Sequence, residues 1–250
     1  INDNQINLTG INNADGIKIA NGGDNHQIKN NYIENGGEDG IQVTKDPGKA
    51  DNVNITNNTI FDTRGNDGAI DYGIYCDCNN SEISFNDVIN HSNGHGISGG
   101  FSESQVFGNF ISNIEEFGRA GIYLLGVSGS DYNTLDNNTI VNGYIGIWID
   151  QDFTNLTLTN NNLTNNKHWS IEFQSAFSPC PVYDIDTSNV GGNDGKPILY
   201  GVNQEGITLE NTNAYSEIYY CNLTNSVINN VSMNNSGPTS DGLILHRSSN

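Results

Sequence analysis

The chain has 250 residues, 34% of them hydrophobic, with 44 Asn and 29 Gly against 5 Pro and 1 Met. Nine Lys and Arg against 29 Asp and Glu give a formal net charge of −20, which repels phosphate backbones and anionic lipid headgroups and argues against nucleic-acid or membrane-surface partners. Asn and Gly are poor helix formers, so long helices are excluded, and no apolar run approaches the roughly 18 residues of a membrane span.

Read in chain order, two short elements alternate. A glycine followed by an apolar strand appears first as Gly16-Ile17-Lys18-Ile19. It returns as Gly40-Ile41-Gln42-Val43, Gly73-Ile74-Tyr75-Cys76, Gly96-Ile97-Ser98, Gly121-Ile122-Tyr123-Leu124 and Gly146-Ile147-Trp148-Ile149, with Ser170-Ile171-Glu172-Phe173 as a variant. The steps between these glycines are 24, 33, 23, 25 and 25 residues, the longest containing an insertion placed at 64–71. Between them lies a strand–corner–strand element, Ile28-Lys29-Asn30-Asn31-Tyr32-Ile33 and then Ile55-Thr56-Asn57-Asn58-Thr59-Ile60. Later copies include Phe85-Asn86-Asp87-Val88-Ile89, Leu135-Asp136-Asn137-Asn138-Thr139-Ile140 and Leu158-Thr159-Asn160-Asn161-Asn162-Leu163.

Period-two alternation gives each strand one inward and one outward face. A unit of 22–25 residues cannot bury its apolar face alone, whereas stacked copies can, which is the logic of a solenoid. Parallel strands joined by crossovers take the right-handed sense. The expected fold is therefore an all-β right-handed parallel β-helix of roughly ten coils, with the paired asparagines stacked as a hydrogen-bonded ladder. Both ends read as repeat sequence without a capping helix, and an uncapped solenoid exposes strand edges, so the natural protein is expected to continue beyond them.

The segment Asp194-Gly195-Lys196-Pro197-Ile198-Leu199-Tyr200-Gly201-Val202-Asn203 resembles the NosD-like β-helix family, abundant in archaeal surface proteins. Cys221-Asn222-Leu223-Thr224, Ile228-Asn229-Asn230-Val231-Ser232 and Gly242-Leu243-Ile244-Leu245 continue that pattern, so the resemblance is specific over 190–250 and generic before it. Gly195-Lys196-Pro197-Ile198 looks like the start of a module, dividing the chain into coils at 1–180 and a NosD-like module at 181–250. The resemblance implies an extracellular or cell-surface location within a wider class of carbohydrate-binding and sugar-hydrolysing β-helices. The founding member is linked to copper-enzyme maturation; this chain has no Met- or His-rich run, so no metal or cofactor is expected.

Several residues carry candidate chemistry. Stacking the coils aligns Lys18, Gln42, Tyr75, Ser98, Tyr123, Trp148 and Glu172 on one outward row, with Asp77 and Asp150 two residues further along. Tyr75, Tyr123 and Trp148, with Trp169 nearby, would form an aromatic strip edged by carboxylates, suited to the C–H faces and hydroxyls of a glycan. An enzyme alternative rests on Glu38-Asp39-Gly40, Asp71-Tyr72-Gly73 and Gly94-His95-Gly96, which resemble the Asn-Thr-Asp, Asp-Asp and Gly-His-Gly motifs of polygalacturonases. That resemblance makes Asp39 and Asp71 the carboxylates and His95 their partner in a polysaccharide hydrolase, lyase or epimerase. Tyr72 replaces the second Asp of the pair, and Ile122-Tyr123-Leu124 replaces a cationic motif. The expected role is therefore a structural or adhesive β-helix whose partners are glycans or other surface proteins, with the trio incidental.

Of eleven Asn-x-Ser/Thr sequons, Asn7, Asn54, Asn79, Asn90, Asn155, Asn222 and Asn234 are the glycosylation candidates if the protein is exported. Cys76 shares the inward face with Ile74 and is expected as a core residue, with Cys78 two residues on and about 7 Å away, at the limit for a disulfide. Cys180 and Cys221 are the disulfide candidates. Glu115-Glu116 and Asp150-Gln151-Asp152 offer oxygen ligands of the kind Ca²⁺ takes, without a loop motif that would set them apart from solvated charge.

Overall fold

The structure, a computed structural model, describes residues 1–9, 14–21, 23–45, 47–62, 70–91, 93–114, 116–126, 131–150, 155–174, 190–192, 194–233, 242–246 and 248. Among them every regular element is a β-strand and every strand pairing within a sheet is parallel. Three walls build the main body. Wall A stacks six strands from Gln27–Lys29 to Thr157–Thr159, and wall B stacks seven from Gln5–Asn7 to Asn162–Thr164. Wall C stacks seven from Ile17–Ile19 through Asp71–Cys76, Gly94–Gly99, Ala120–Leu124 and Ile145–Asp150 to Ile171–Gln174. The expected β-helix is present, with seven coils in this body against the roughly ten anticipated for the chain. C-terminal strands from Ile198–Val202 to Leu243–His246 continue the parallel pairing. The expected boundary at 180 falls outside the described residues.

Register fixes the core. On wall C, Ile17, Ile41, Ile74, Ile97, Ile122, Ile147 and Ile171 lie opposite one another as one inward column. Wall A contributes Ile28, Ile55, Ile83, Val106, Leu135 and Leu158, and wall B the column from Ile6 through Ile33 and Ile60 to Leu163. Nearly all are inaccessible to solvent, each contributing about 1.5–3 kcal/mol of burial. Before wall C the chain must pass close to the next coil. At Gly96 a Cβ would lie 2.5 Å from the Gly121 carbonyl oxygen and 2.6 Å from Ile111 Cγ2, which only glycine avoids.

Two uses of asparagine account for its abundance. Asn4, Asn31, Asn58, Asn86, Asn109, Asn138 and Asn161 form a ladder, each Nδ2 donating to the next Oδ1 at 2.8–3.0 Å. The same Oδ1 accepts the backbone N–H of the preceding asparagine, as from Asn58 to Asn86 at 2.9 Å. From Asn31 to Asn161 these side chains are at most 2% exposed, so the ladder satisfies polar groups that water cannot reach. Before four of the rungs a second asparagine turns the corner: Asn30, Asn57, Asn137 and Asn160 have φ of 53–56°, the left-handed region that Asn tolerates. Further left-handed corners recur at Asn52, Asn80 and Asn155 and at Asn35, Asn90, Asn113 and Asn142.

Candidate functional site

Wall C carries the candidate residues. Lys18, Gln42, Tyr75, Ser98, Tyr123, Trp148 and Glu172 lie opposite one another on successive strands. Tyr75, Tyr123 and Trp148 are half-buried and Ser98 is fully buried. The side chains flanking Ser98 on this wall meet above it. His95 stacks on Tyr123 with ring centroids 4.3 Å apart and planes at 25°, and on Tyr72 at 5.9 Å and 17°. Tyr72 reaches Tyr75 at 4.8 Å, and Tyr123 reaches Trp148 at 4.8 Å.

The rings therefore cover one another along the solenoid axis. An open platform for sugar needs free ring faces; here those of His95 and Tyr123 are spent on neighbouring rings. The phenols are committed as well. Tyr75 Oη donates to Asp77 Oδ2 at 2.9 Å and Tyr123 Oη to Asp150 Oδ2 at 3.0 Å. Burial, with these carboxylates beside them, pushes both phenols above their ordinary range. Trp169 does not join the strip: at 9% exposure it packs with Ala120 and Ile145 in a cluster that Tyr123, Tyr144, Trp148 and Ile244 flank. The indole Nε1–H of Trp148 is buried without an acceptor among the described residues.

The trio of Asp39, Asp71 and His95 separates in register. Asp71 lies opposite Gly94, and Tyr72 lies opposite His95. Alternation sends Asp71 and Tyr72 to opposite sides of the strand, so Asp71 does not share the face of His95. Asp71 is 2% exposed and its Oδ2 accepts from Asn93 Nδ2 at 3.0 Å. Asp39, 4% exposed, holds coils together: its Oδ1 accepts the Tyr72 N–H at 2.8 Å and its Oδ2 accepts from Gln42 at 2.6 Å. Burial raises its carboxyl to about 7; the Tyr72 N–H opposes that shift, and the Asp15 charge adds to it. His95 accepts the Ala120 N–H on Nδ1 at 3.0 Å, and burial pushes it down to about 3, so the ring is neutral.

Elsewhere, Cys76 is buried in the core as expected, but bridged to Cys78 in a disulfide. The chain turns at Asp77, which brings the two Cα atoms to 5.3 Å, inside bridging range. Cys221 is also disulfide-bonded, while Cys180 lies outside the described residues. Asn7, Asn155 and Asn222 are exposed; Asn54, Asn79 and Asn90 are half-buried. Asn79 donates to Asp51 at 3.1 Å and Asn90 accepts from Asn113 at 2.7 Å. Asn234 lies outside the described residues. Of the acidic clusters, Glu116 faces Arg119 at 3.6 Å, and 115, 151 and 152 are not described.

Tyr72, notable in the sequence only as a missing carboxylate, completes the stack with its ring, and Glu217 carries no sequence signal. The Glu217 carboxylate, 5% exposed, accepts the backbone N–H groups of Ser170 at 2.7 Å and Ile171 at 3.2 Å. No local pattern signals that contact, because donors and acceptor lie more than forty residues apart.

Comparison with curated proteins finds no match. A protein family described as periplasmic copper-binding protein (NosD) matches residues 2–184, the stretch that reads as generic coil, and not the 190–250 segment on which the resemblance was drawn. Copper selects thiolate, thioether and imidazole ligands. Among the described residues no three His, Cys, Asp or Glu gather into a group able to hold a metal ion. Cys76 and Cys78 are bridged and His95 Nδ1 is committed, so these residues do not fit a copper site. What the match carries is the fold: over the residues that build all seven coils of the main body, the chain belongs to the NosD family.

Proposed function

We propose that this NosD-family chain is a structural and adhesive β-helix of an extracytoplasmic surface. The observation that carries the reading is how its polar and aromatic groups are used. The seven-asparagine ladder, the ring stack, the Tyr123–Asp150 pair and Asp39 all tie one coil to the next. A buried disulfide agrees with an oxidising compartment, and the family's periplasmic description supports the same side of the membrane.

Incubation of the purified chain with neutral and acidic polysaccharides tests this reading. No release of reducing ends or unsaturated products is expected. Release that both Asp71→Asn and His95→Ala abolish would make the chain a hydrolase, lyase or epimerase instead. A weak glycan contact on wall C is a second reading, supported by the unpartnered indole N–H of Trp148. Trp148→Ala is expected to weaken such binding, and unchanged affinity removes it.

A further inference from the structure

The corner between walls A and B runs Asn30, Asn57, Phe85, Gly108, Asn137, Asn160, the first five each joined to the next coil by the backbone N–H. Four of these six are asparagine; Phe85 and Gly108 interrupt them. Phe85 has φ 54° and is 53% exposed, an uncommon conformation for a bulky side chain. Gly108 below it has φ 64°, and a Cβ there would strike the Phe85 ring at 2.7 Å. The two are matched: the ring lies where any side chain at 108 would be. Phe107 packs edge-on at 5.1 Å, and Phe110, 38% exposed, begins the wall B strand just past the corner.

Strain at an exposed aromatic residue points toward a use for the exposed ring. The open area is small. With a Phe side chain offering about 200 Å², the stated exposures leave roughly 200 Å² of ring surface. That falls well short of the roughly 800 Å² per partner of a stable protein interface but matches one or two sugar rings. A polar group stands beside it. Asp87 lies opposite Phe110 in register, is exposed, and its carboxylate makes no hydrogen bond to the described residues. Glu82 and Asp136 are near in sequence and register, so an anionic ligand is repelled.

We propose that Phe85, Phe107 and Phe110 form a binding site for a neutral glycan, with sugar C–H faces on the rings and hydroxyls donating to Asp87. This gives the adhesive half of the proposed role a location, and rests on that reading.

The test titrates short cello-, xylo-, manno- and chito-oligosaccharides into the whole chain by calorimetry. Phe110→Ala and Phe85→Asn are each expected to weaken binding about tenfold, the loss of one ring contact, and Asp87→Asn to weaken it less. Phe85→Asn restores the residue this corner otherwise uses and is expected to melt no lower than the parent, separating lost binding from lost fold. Binding lost in Trp148→Ala but kept in Phe85→Asn would overturn the site and move it to wall C. Absence of binding to every neutral glycan, or preference for uronate or sulfated ones, would overturn it outright. None of these results touches the scaffold reading, which polymer release decides.

Discussion

Replacing Asn109 with alanine tests whether the buried ladder holds the coils together. Its Oδ1 accepts the backbone N–H and the Nδ2 of Asn86, both at 3.0 Å. Its Nδ2 donates to the Ile83 carbonyl at 2.9 Å and to Asn138 Oδ1 at 2.9 Å. Asn109 is 1% exposed, so water cannot replace it without opening the solenoid. Asn109→Ala leaves two donors on Asn86 without acceptors, each costing about 1–3 kcal/mol, for a total of about 2–6 kcal/mol before any cavity cost. Asn160→Ala is the control, since Asn160 is exposed with φ 53°. It is expected to cost about 1–2 kcal/mol through the left-handed backbone and the loss of its exposed hydrogen bond to Asp136 Oδ1 at 2.8 Å. Urea denaturation followed by far-ultraviolet circular dichroism measures both, and the slope shows whether unfolding remains cooperative. Equal losses within about 0.5 kcal/mol would mean the rungs are incidental, and the ladder argument fails.

Two further outcomes follow from buried carboxylates. The Asp39 carboxyl sits at about 7 in the folded chain, above its ordinary 3.8. The folded state therefore binds a proton more tightly, and this group's contribution to stability falls as pH rises from about 4 to about 7, then levels. Asp39→Asn is expected to remove that part of the slope in urea unfolding measured from pH 4 to 8, and an unchanged slope would refute the assignment. Glu217→Ala strips acceptors from the Ser170 and Ile171 amides and is expected to cost about 2–4 kcal/mol. Hydrogen exchange at those two amides should accelerate, and unchanged protection would show that Glu217 does not hold the junction.

The sequence by itself determined the solenoid. Alternating Ile, Leu and Val set the inward columns, the recurring glycine marked each entry to wall C, and Asn-Asn marked both a left-handed corner and a buried rung. These follow from local pattern, because inward and outward faces alternate within three residues and one period repeats. Even the outward row from Lys18 to Glu172 could be read from its place two residues after each recurring glycine, or after Ser170 in the last copy. Tertiary structure alone decided what those outward groups face. Asp71 and His95 looked paired by motif, yet one residue of register put Tyr72 opposite His95. The aromatic residues of wall C looked like a platform, yet coils about 4.8 Å apart bring the rings close enough to stack on each other. The Cys76–Cys78 bridge needed the turn at Asp77, and Glu217 reached Ser170 across more than forty residues. Alternation is a property of one strand, whereas contact between side chains depends on the registration of separate coils, which only the folded stack sets.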